Sequence, residues 1–333
     1  MADELLRDLP RDLPTFVRRF GSDAKCRAYL VRALWPDGFC CGGCGHGVAW
    51  SHKKRLIEEC AACGRQHSIL AGTIFEQTKT GLSRWFLAIY LVTSSKGGIS
   101  AIGLCPIPRR DVGRADRELQ RQMGFGSYGT AWAWLHKIRK AMVRPAREPL
   151  RARVEADETL VGGTKAGKPG RGADGKTVVA GAVEAAPGKG RKRRLGRLRL
   201  QAVPDASANS LEGFLAANVA TPAAVGTDGW RGYAGLGDAG YAHEPINLAT
   251  GWGDAVLRLP AIHLVFGLAK RWLLGTHHGA VRPKHLQAYL DEYVFRFNRR
   301  TAKSISHRFA RLIEQAVLTP PTTYHAISHG SPA

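Results

Sequence analysis

The chain has 333 residues, 44% of them hydrophobic, and its 49 Lys and Arg against 27 Asp and Glu leave a formal net charge of +22. That length accommodates two or three domains with real cores, and so basic a surface attracts polyanions, nucleic acid first and an anionic membrane face second. The longest strongly apolar run, Trp85 to Val92, falls well short of the roughly 20 residues that span a bilayer, and the charged start MADELLRDLPRDLP has no apolar signal core, so we expect a cytoplasmic, nucleoid-associated protein with no membrane span.

Three parts follow in chain order. Residues 1–75 hold an N-terminal helix and the clustered cysteines: Cys41-Gly-Gly-Cys44, fifteen intervening residues, then Cys60-Ala-Ala-Cys63. In a reducing compartment such pairs point to metal rather than disulfides, and two knuckles at this distance close a tetrahedral thiolate shell around Zn²⁺. Gly45 and Gly64 follow the knuckles, as tight turns require. Cys40 is the alternative to Cys41, while Cys26 and Cys105 read as core or incidental. Four thiolates leave no open coordination position, so this zinc is structural.

Residues 76–148 read as short helices. LSRWFLAIYLVTSSKGG ends at Gly97 and Gly98, and in SYGTAWAWLHKIRKAM the residues Ala131, Leu135, Ile138 and Met142 recur at helical spacing while Lys137, Arg139 and Lys140 fall mostly elsewhere. The second pattern fits a helix-turn-helix arrangement or an ordinary amphipathic helix.

Residues 149–333 alternate strands and helices. VEADETLVGG, TVVAGAVEAA and RLRLQAVPD are strands, the last setting Leu198, Leu200 and Ala202 opposite Arg197, Arg199 and Gln201. A helix-like ASANSLEGFLAANV, the short apolar AAVGTD and helices beginning near Pro260, Pro283 and Lys303 follow, which predicts an α/β sheet with helical cover. Between the second and third strands the run GKGRKRRLGRLRL is a basic hairpin connection, either a solvated loop or a grip on phosphates.

The acids of the first of these strands are out of character for so basic a chain. Facing carboxylates repel unless a cation lies between them. Asp157 has apolar neighbours, and Asp228 closes the short strand before Gly229. Acids at strand ends open onto the ligand crevice of an α/β sheet, and two of them on adjacent strands can share divalent ions for phosphoryl transfer. The bland alternatives are a turn aspartate at 228 and an edge-strand acid at 157.

Together WPDGFCCGGCG, AGTIFEQTKTGLSRWFLAIYLVTSSKGGIS, GSYGTAWAWLHKIRKAM, VEADETLVGG, TDGWRGY and KRWLLGTHHGAVRPKHLQAYLDEYVFRFNRR resemble DDE-type insertion-sequence transposases with an N-terminal zinc ribbon, the ISXO-like group, over nearly the whole chain. The resemblance implies a ribonuclease-H-like catalytic domain, a mixed sheet with flanking helices, behind the ribbon and a small helix-turn-helix-like segment. It implies Mg²⁺ or Mn²⁺ held by Asp157 and Asp228, with Lys270 retained, cutting at transposon ends and strand transfer. The ribbon and helical segment would read the terminal inverted repeats as a homodimer or larger assembly. Arg191, Lys192, Arg193, Arg194, Arg271, Arg296, Arg299 and Arg300 would hold the DNA.

Two departures stand out. Many members of the group carry Asn where this chain has Leu268, and leucine cannot ligate magnesium, so either another residue completes the site or this copy is impaired. His263, seven residues before Lys270 and nearly eclipsed with it, is a candidate phosphate contact or proton carrier. Glu292 either reaches inward or pairs with Arg296 at i,i+4, and we favour the pair. Roughly a dozen added residues at Cys105 to Arg117 read as a surface loop. The competing function is a DNA-binding derivative without catalysis.

Overall fold

The computed structural model describes residues 9–95, 97, 99, 117–151, 153–162, 175–187, 193–246, 258–277, 281–302 and 304–329. They form two units, Met1–Pro145 with Thr301–Ala333, and Ala146–Arg300.

Asp12 starts the first unit, accepting the Thr15 N–H at 2.8 Å in a reciprocal cap that launches α1 (Leu13–Phe20). Ser22 caps α2 (Asp23–Leu34), so two helices stand where the sequence indicated one. The ribbon follows as three antiparallel strands, β1 (Ala49–His52), β2 (Ile57–Cys60) and β3 (Gln66–Ser68). Next, α3 (Leu82–Ser94) has glycine at its N-cap and no local side-chain cap; Asp23 supplies one, accepting the Ser83 N–H and hydroxyl at 2.8 and 2.6 Å. A turn of four residues containing Gly124 (φ +61°) joins α4 (Arg117–Met123) to α5 (Tyr128–Lys140).

The expected stripe of α5 is buried: Ala131, Leu135, Ile138 and Met142. Burial goes further than the pattern indicated, because Trp134 stacks on Trp85 at 3.6 Å and Arg139, read as part of a basic outer face, is only 1% exposed. Within α5 itself Thr130 and Lys140 are the exposed residues.

The core of this unit is aromatic. Phe16, Phe20 and Phe86 each lie within 6 Å of Phe309, which comes from the helix Ile305–Leu318. That helix also buries Ala310, Leu312, Ile313 and Ala316. The second unit therefore ends at Arg300 and not at 333, a correction to the 149–333 boundary: the apolar stripe of the last long helix finds its partners on α2 and α3.

In the second unit β4 (Val154–Val161), β5 (Thr177–Pro187) and β6 (Arg193–Val203) are antiparallel neighbours, while β7 (Ala224–Thr227) and β8 (Ala242–Pro245) continue from β4 in parallel, giving the order β6-β5-β4-β7-β8. The result is the expected mixed α/β sheet, with β8 and a 3₁₀ turn at Arg231–Leu236 added. Alternation along the strands sorts its two faces. Ala156, Ala180 and Ala182 pack under Leu211, Phe214 and Leu215 of α6 (Ala208–Asn218). Val179, Val183, Leu198 and Leu200 pack under α7 (Pro260–His277) and α8 (Pro283–Asn298).

Gly181, opposite Asp157 in the β4–β5 register, lets α7 settle, since a Cβ there would stand 2.6 Å from the Phe266 ring. No helix among the described residues is long and apolar enough to cross a membrane.

On α8, burial raises the Asp291 carboxyl to about 6 against the hydrogen bond from Gln287. A carboxyl raised in the fold is still protonated where the unfolded chain has ionised, so it costs stability as pH climbs from about 4 to 6. Asp291→Asn is therefore expected to raise the thermal midpoint at pH 7 by a margin that shrinks toward nothing at pH 4; an equal gain at both would disprove the assignment.

Candidate functional site

Two constellations carry chemistry. In the ribbon, each knuckle bends back on a left-handed glycine, Gly45 (φ +74°) and Gly64 (φ +68°), whose N–H groups donate to the carbonyls of Cys41 and Cys60. This brings the sulfurs of Cys41, Cys44, Cys60 and Cys63 within 4.8 Å of one another, the closest pairs at 3.5 and 3.6 Å. A tetrahedral zinc with bonds of about 2.3 Å spaces its sulfurs by about 3.8 Å, so the donor set fits Zn²⁺.

Cys41 rather than Cys40 belongs to the set; Cys40 is exposed and outside it. The backbone N–H groups of Cys44 and Gly43 pull the Cys41 thiol down to about 5, toward the thiolate a metal needs. His67 Nε2 lies 3.3 Å from the same sulfur, a partner the cysteine spacing did not reveal. Arg27 on α2 pairs with Glu58 of β2, which also accepts the Ser51 hydroxyl at 2.5 Å. Cys26 is core, its thiol pushed up to about 12 by burial; Cys105 lies outside the described residues.

The second constellation lies where β4 and β7 run side by side. Their register pairs Val154 with Val225 and Glu155 with Gly226; Asp157 follows two residues on in β4, Asp228 comes directly after β7, and the charges of both act on Tyr233. Asp157 Oδ1 accepts the Glu158 N–H at 2.8 Å, and its Oδ2 is 3.7 Å from His263 Nδ1 on α7. Asp228 accepts the Trp230 N–H at 3.0 Å while Gly229 takes φ +71°. It is thus both the turn aspartate of the bland reading and an acid at the strand end.

The remaining acids of β4 have separate tasks. Glu155, 1% exposed, points its Oε2 at the N–H groups of Ala261 and Ile262, at 2.7 and 3.1 Å, and so caps α7 from the sheet. Glu158 accepts the Tyr233 hydroxyl at 3.0 Å. Burial first, then the charges of Glu158, Asp157 and Asp228, drive the Tyr233 phenol well above its ordinary value, so the ring stays a proton donor.

On α7, burial lowers His263 against the opposing pull of Asp228, and burial together with Lys176 lowers Lys270 against Asp157. His263 is therefore neutral near pH 7. Lys176, Tyr233 and the capping role of Glu155 escaped the sequence reading, because each depends on which strand end meets which helix.

Residues 149–298 match the ISXO2-like transposase domain, and residues 21–66 match the transposase zinc-ribbon domain. The chain belongs to the ISXO2-like transposases with a zinc ribbon. This transposase is also similar to an uncharacterized protein in transposable element ISH50 of Halobacterium salinarum, 25% identical over 297 residues, 84% of this chain and 92% of the relative. No solved structure matches it.

The positions that set this transposase apart can now be located. Leu268 packs against the apolar cluster under α7 and α8. Glu292 is buried and accepts Arg296 Nε and Nη2 at 2.9 and 2.7 Å, the i,i+4 pair we favoured. Arg300 donates to the carbonyls of Leu195, Gly196 and Phe297 and lies over the Phe297 ring, and Arg299 lies over Phe295 at 4.0 Å.

Arg300 thus ties the end of α8 to β6, and Arg296 is engaged along α8 by Glu292. Arg271 and Arg194 are exposed. Arg191, Lys192 and the Arg193 side chain lie outside the described residues, as does the added segment from Cys105 to residue 116.

Proposed function

We propose that the second unit is a ribonuclease-H-like catalytic domain that cuts DNA at the ends of its insertion sequence and joins the freed 3′ end to target DNA. The observation that carries this is Asp157, midway along β4, and Asp228, directly after the neighbouring parallel strand β7, both close to His263 on the helix that also bears Lys270. The order of the mixed sheet, three antiparallel strands and two parallel ones, supports the fold assignment.

Asp157 and Asp228 would hold Mg²⁺ or Mn²⁺, hard cations suited to carboxylates and phosphate oxygens. The metal supplies Lewis-acid stabilisation of the attacked phosphate. The chain's own residues do the rest. Lys270 and Lys176 neutralise and orient the phosphate, neutral His263 accepts or relays a proton beside Asp157, and Glu155 fixes the helix that carries both α7 side chains. The ribbon and the α4–α5 pair, with Arg271, Arg299 and the basic run at Arg191 to Arg194, bind the DNA, and joining two ends calls for two protomers or more.

A second reading has its own observation: the position filled by Asn in many relatives is here Leu268, turned into the apolar cluster. On that reading the chain binds ends without cutting them. Incubation of the natural protein and Leu268→Asn with Mg²⁺ and a duplex copied from the flanks of the coding region separates the two. Cutting by the natural protein supports the transposase; cutting by Leu268→Asn alone supports the DNA-binding derivative; binding by neither variant sinks both.

A further inference from the structure

Gly181 stands opposite Asp157 in the β4–β5 register and Gly267 lies on α7, one turn beyond the His263 that neighbours Asp157, and of the two the described fold requires only Gly181. Gly181 has no room for a side chain beneath Phe266. Gly267, midway along α7, is the reverse case. It is exposed, its φ lies outside the left-handed region, and a Cβ there would meet nothing among the described residues within 4 Å. Glycine is among the least favourable residues for a helix interior, so neither conformation nor packing against the described residues accounts for it.

Its position does. His263, Gly267 and Lys270 recur at i, i+4 and i+7 and share one stripe of the helix. At one end of the stripe His263 stands 3.7 Å from Asp157; at the other, Lys270 senses the charge of Asp157 and of Lys176. Bare helix backbone is therefore offered between the two polar side chains beside the acids, with exposed Lys270 and Arg271 on the next turn. Charge selects the occupant: these cations repel a second copy of a chain of net charge +22 and attract phosphate.

We propose that Gly267 is a clearance position, where the sugar–phosphate backbone of the DNA strand lies in van der Waals contact with α7 between His263 and Lys270. This rests on the transposase reading above and adds to it the line the strand takes past the acids.

The test compares the natural protein with Gly267→Leu and Gly275→Leu. Gly275 is a second α7 glycine whose Cβ position is equally open among the described residues. Thermal midpoints of both variants should equal or exceed that of the natural protein, because leucine favours the helix and meets no neighbour. With a labelled duplex copied from the flanks of the coding region, Gly267→Leu should bind about tenfold more weakly and cut about 100-fold more slowly, the scale of loss when a strand is displaced from its attack position. Gly275→Leu should bind and cut normally.

A Gly267→Leu protein that binds and cuts like the natural one overturns the proposal, as does a change in its oligomeric state with DNA affinity intact. Failure of the natural protein to bind the duplex removes the transposase reading and this proposal together. Where the natural protein binds but does not cut, the binding comparison alone decides.

Discussion

Asp157→Asn is expected to abolish metal-dependent strand cleavage while leaving the protein at least as stable as before. Losing a partner in the outer shell of a metal site costs roughly 10–100-fold in activity, and a carboxylate that touches the metal costs more. Stability should move the other way. Without metal, Asp157 is a buried acid, 7% exposed, that shares the surroundings of Tyr233 with the charges of Glu158 and Asp228.

An asparagine keeps an oxygen for the Glu158 N–H and removes one of the repelling charges. Sites shaped for function commonly trade stability in this way. The measurements are a cleavage time course with Mg²⁺ and a metal-free thermal melt. A large fall in the melting temperature would mean that Asp157 is a structural acid of the sheet, and the site assignment would fail.

The neighbouring acid gives the opposite signature. Glu155 caps α7 from the strand, so Glu155→Ala leaves two helix N–H groups without their acceptor. Orphaning buried donors costs about 1–3 kcal/mol. Two acids two residues apart, one whose loss stabilises and one whose loss destabilises, separate function from architecture within a single strand.

The sequence patterns made the strands and helices legible because period 2 and period 3.6 are local properties. RLRLQAVPD puts Leu198 and Leu200 in the core as expected, although Arg199 between them is buried as well, and the stripe of α8 is buried at Leu286, Leu290, Tyr293 and Phe297. Periodicity does not tell which core receives a stripe. The helix Ile305–Leu318 has as clear a pattern as α8 yet packs with Phe16, Phe20 and Phe86, more than two hundred residues away along the chain.

Arg139 on α5 escaped for the same reason, since a charged residue looks solvent-facing until a second surface closes over it. In the candidate site, strand position marked Asp157 and Asp228 as candidates beside bland alternatives, and the resemblance to the transposases singled them out. The division of the β4 acids, with Asp157 beside His263, Glu155 capping α7 and Glu158 bound to Tyr233, was not legible, because α7 and Tyr233 arrive from more than 70 residues further along the sequence.

Removing zinc should unfold the ribbon and spare the second unit. The three ribbon strands have four, four and three residues, too few to stand alone in water. The buried side chains of β2 are Glu58, committed to Arg27, and Cys60, itself a ligand. Almost nothing but the metal can organise the segment between Trp35 and Ser68, and structural zinc contributes about 10–16 kcal/mol in peptides of this kind. A chelator at neutral pH is therefore expected to open this segment to protease while the Ala146–Arg300 unit keeps its melting transition.

Cysteine variants refine the result. Cys44→Ser should reproduce the chelator pattern and Cys40→Ser should not, because only the former sulfur is within reach of the other three. A chelated protein with an unchanged digest would mean that α2, through Arg27, holds the ribbon without metal, and the four cysteines would then be a packed cluster rather than a zinc site.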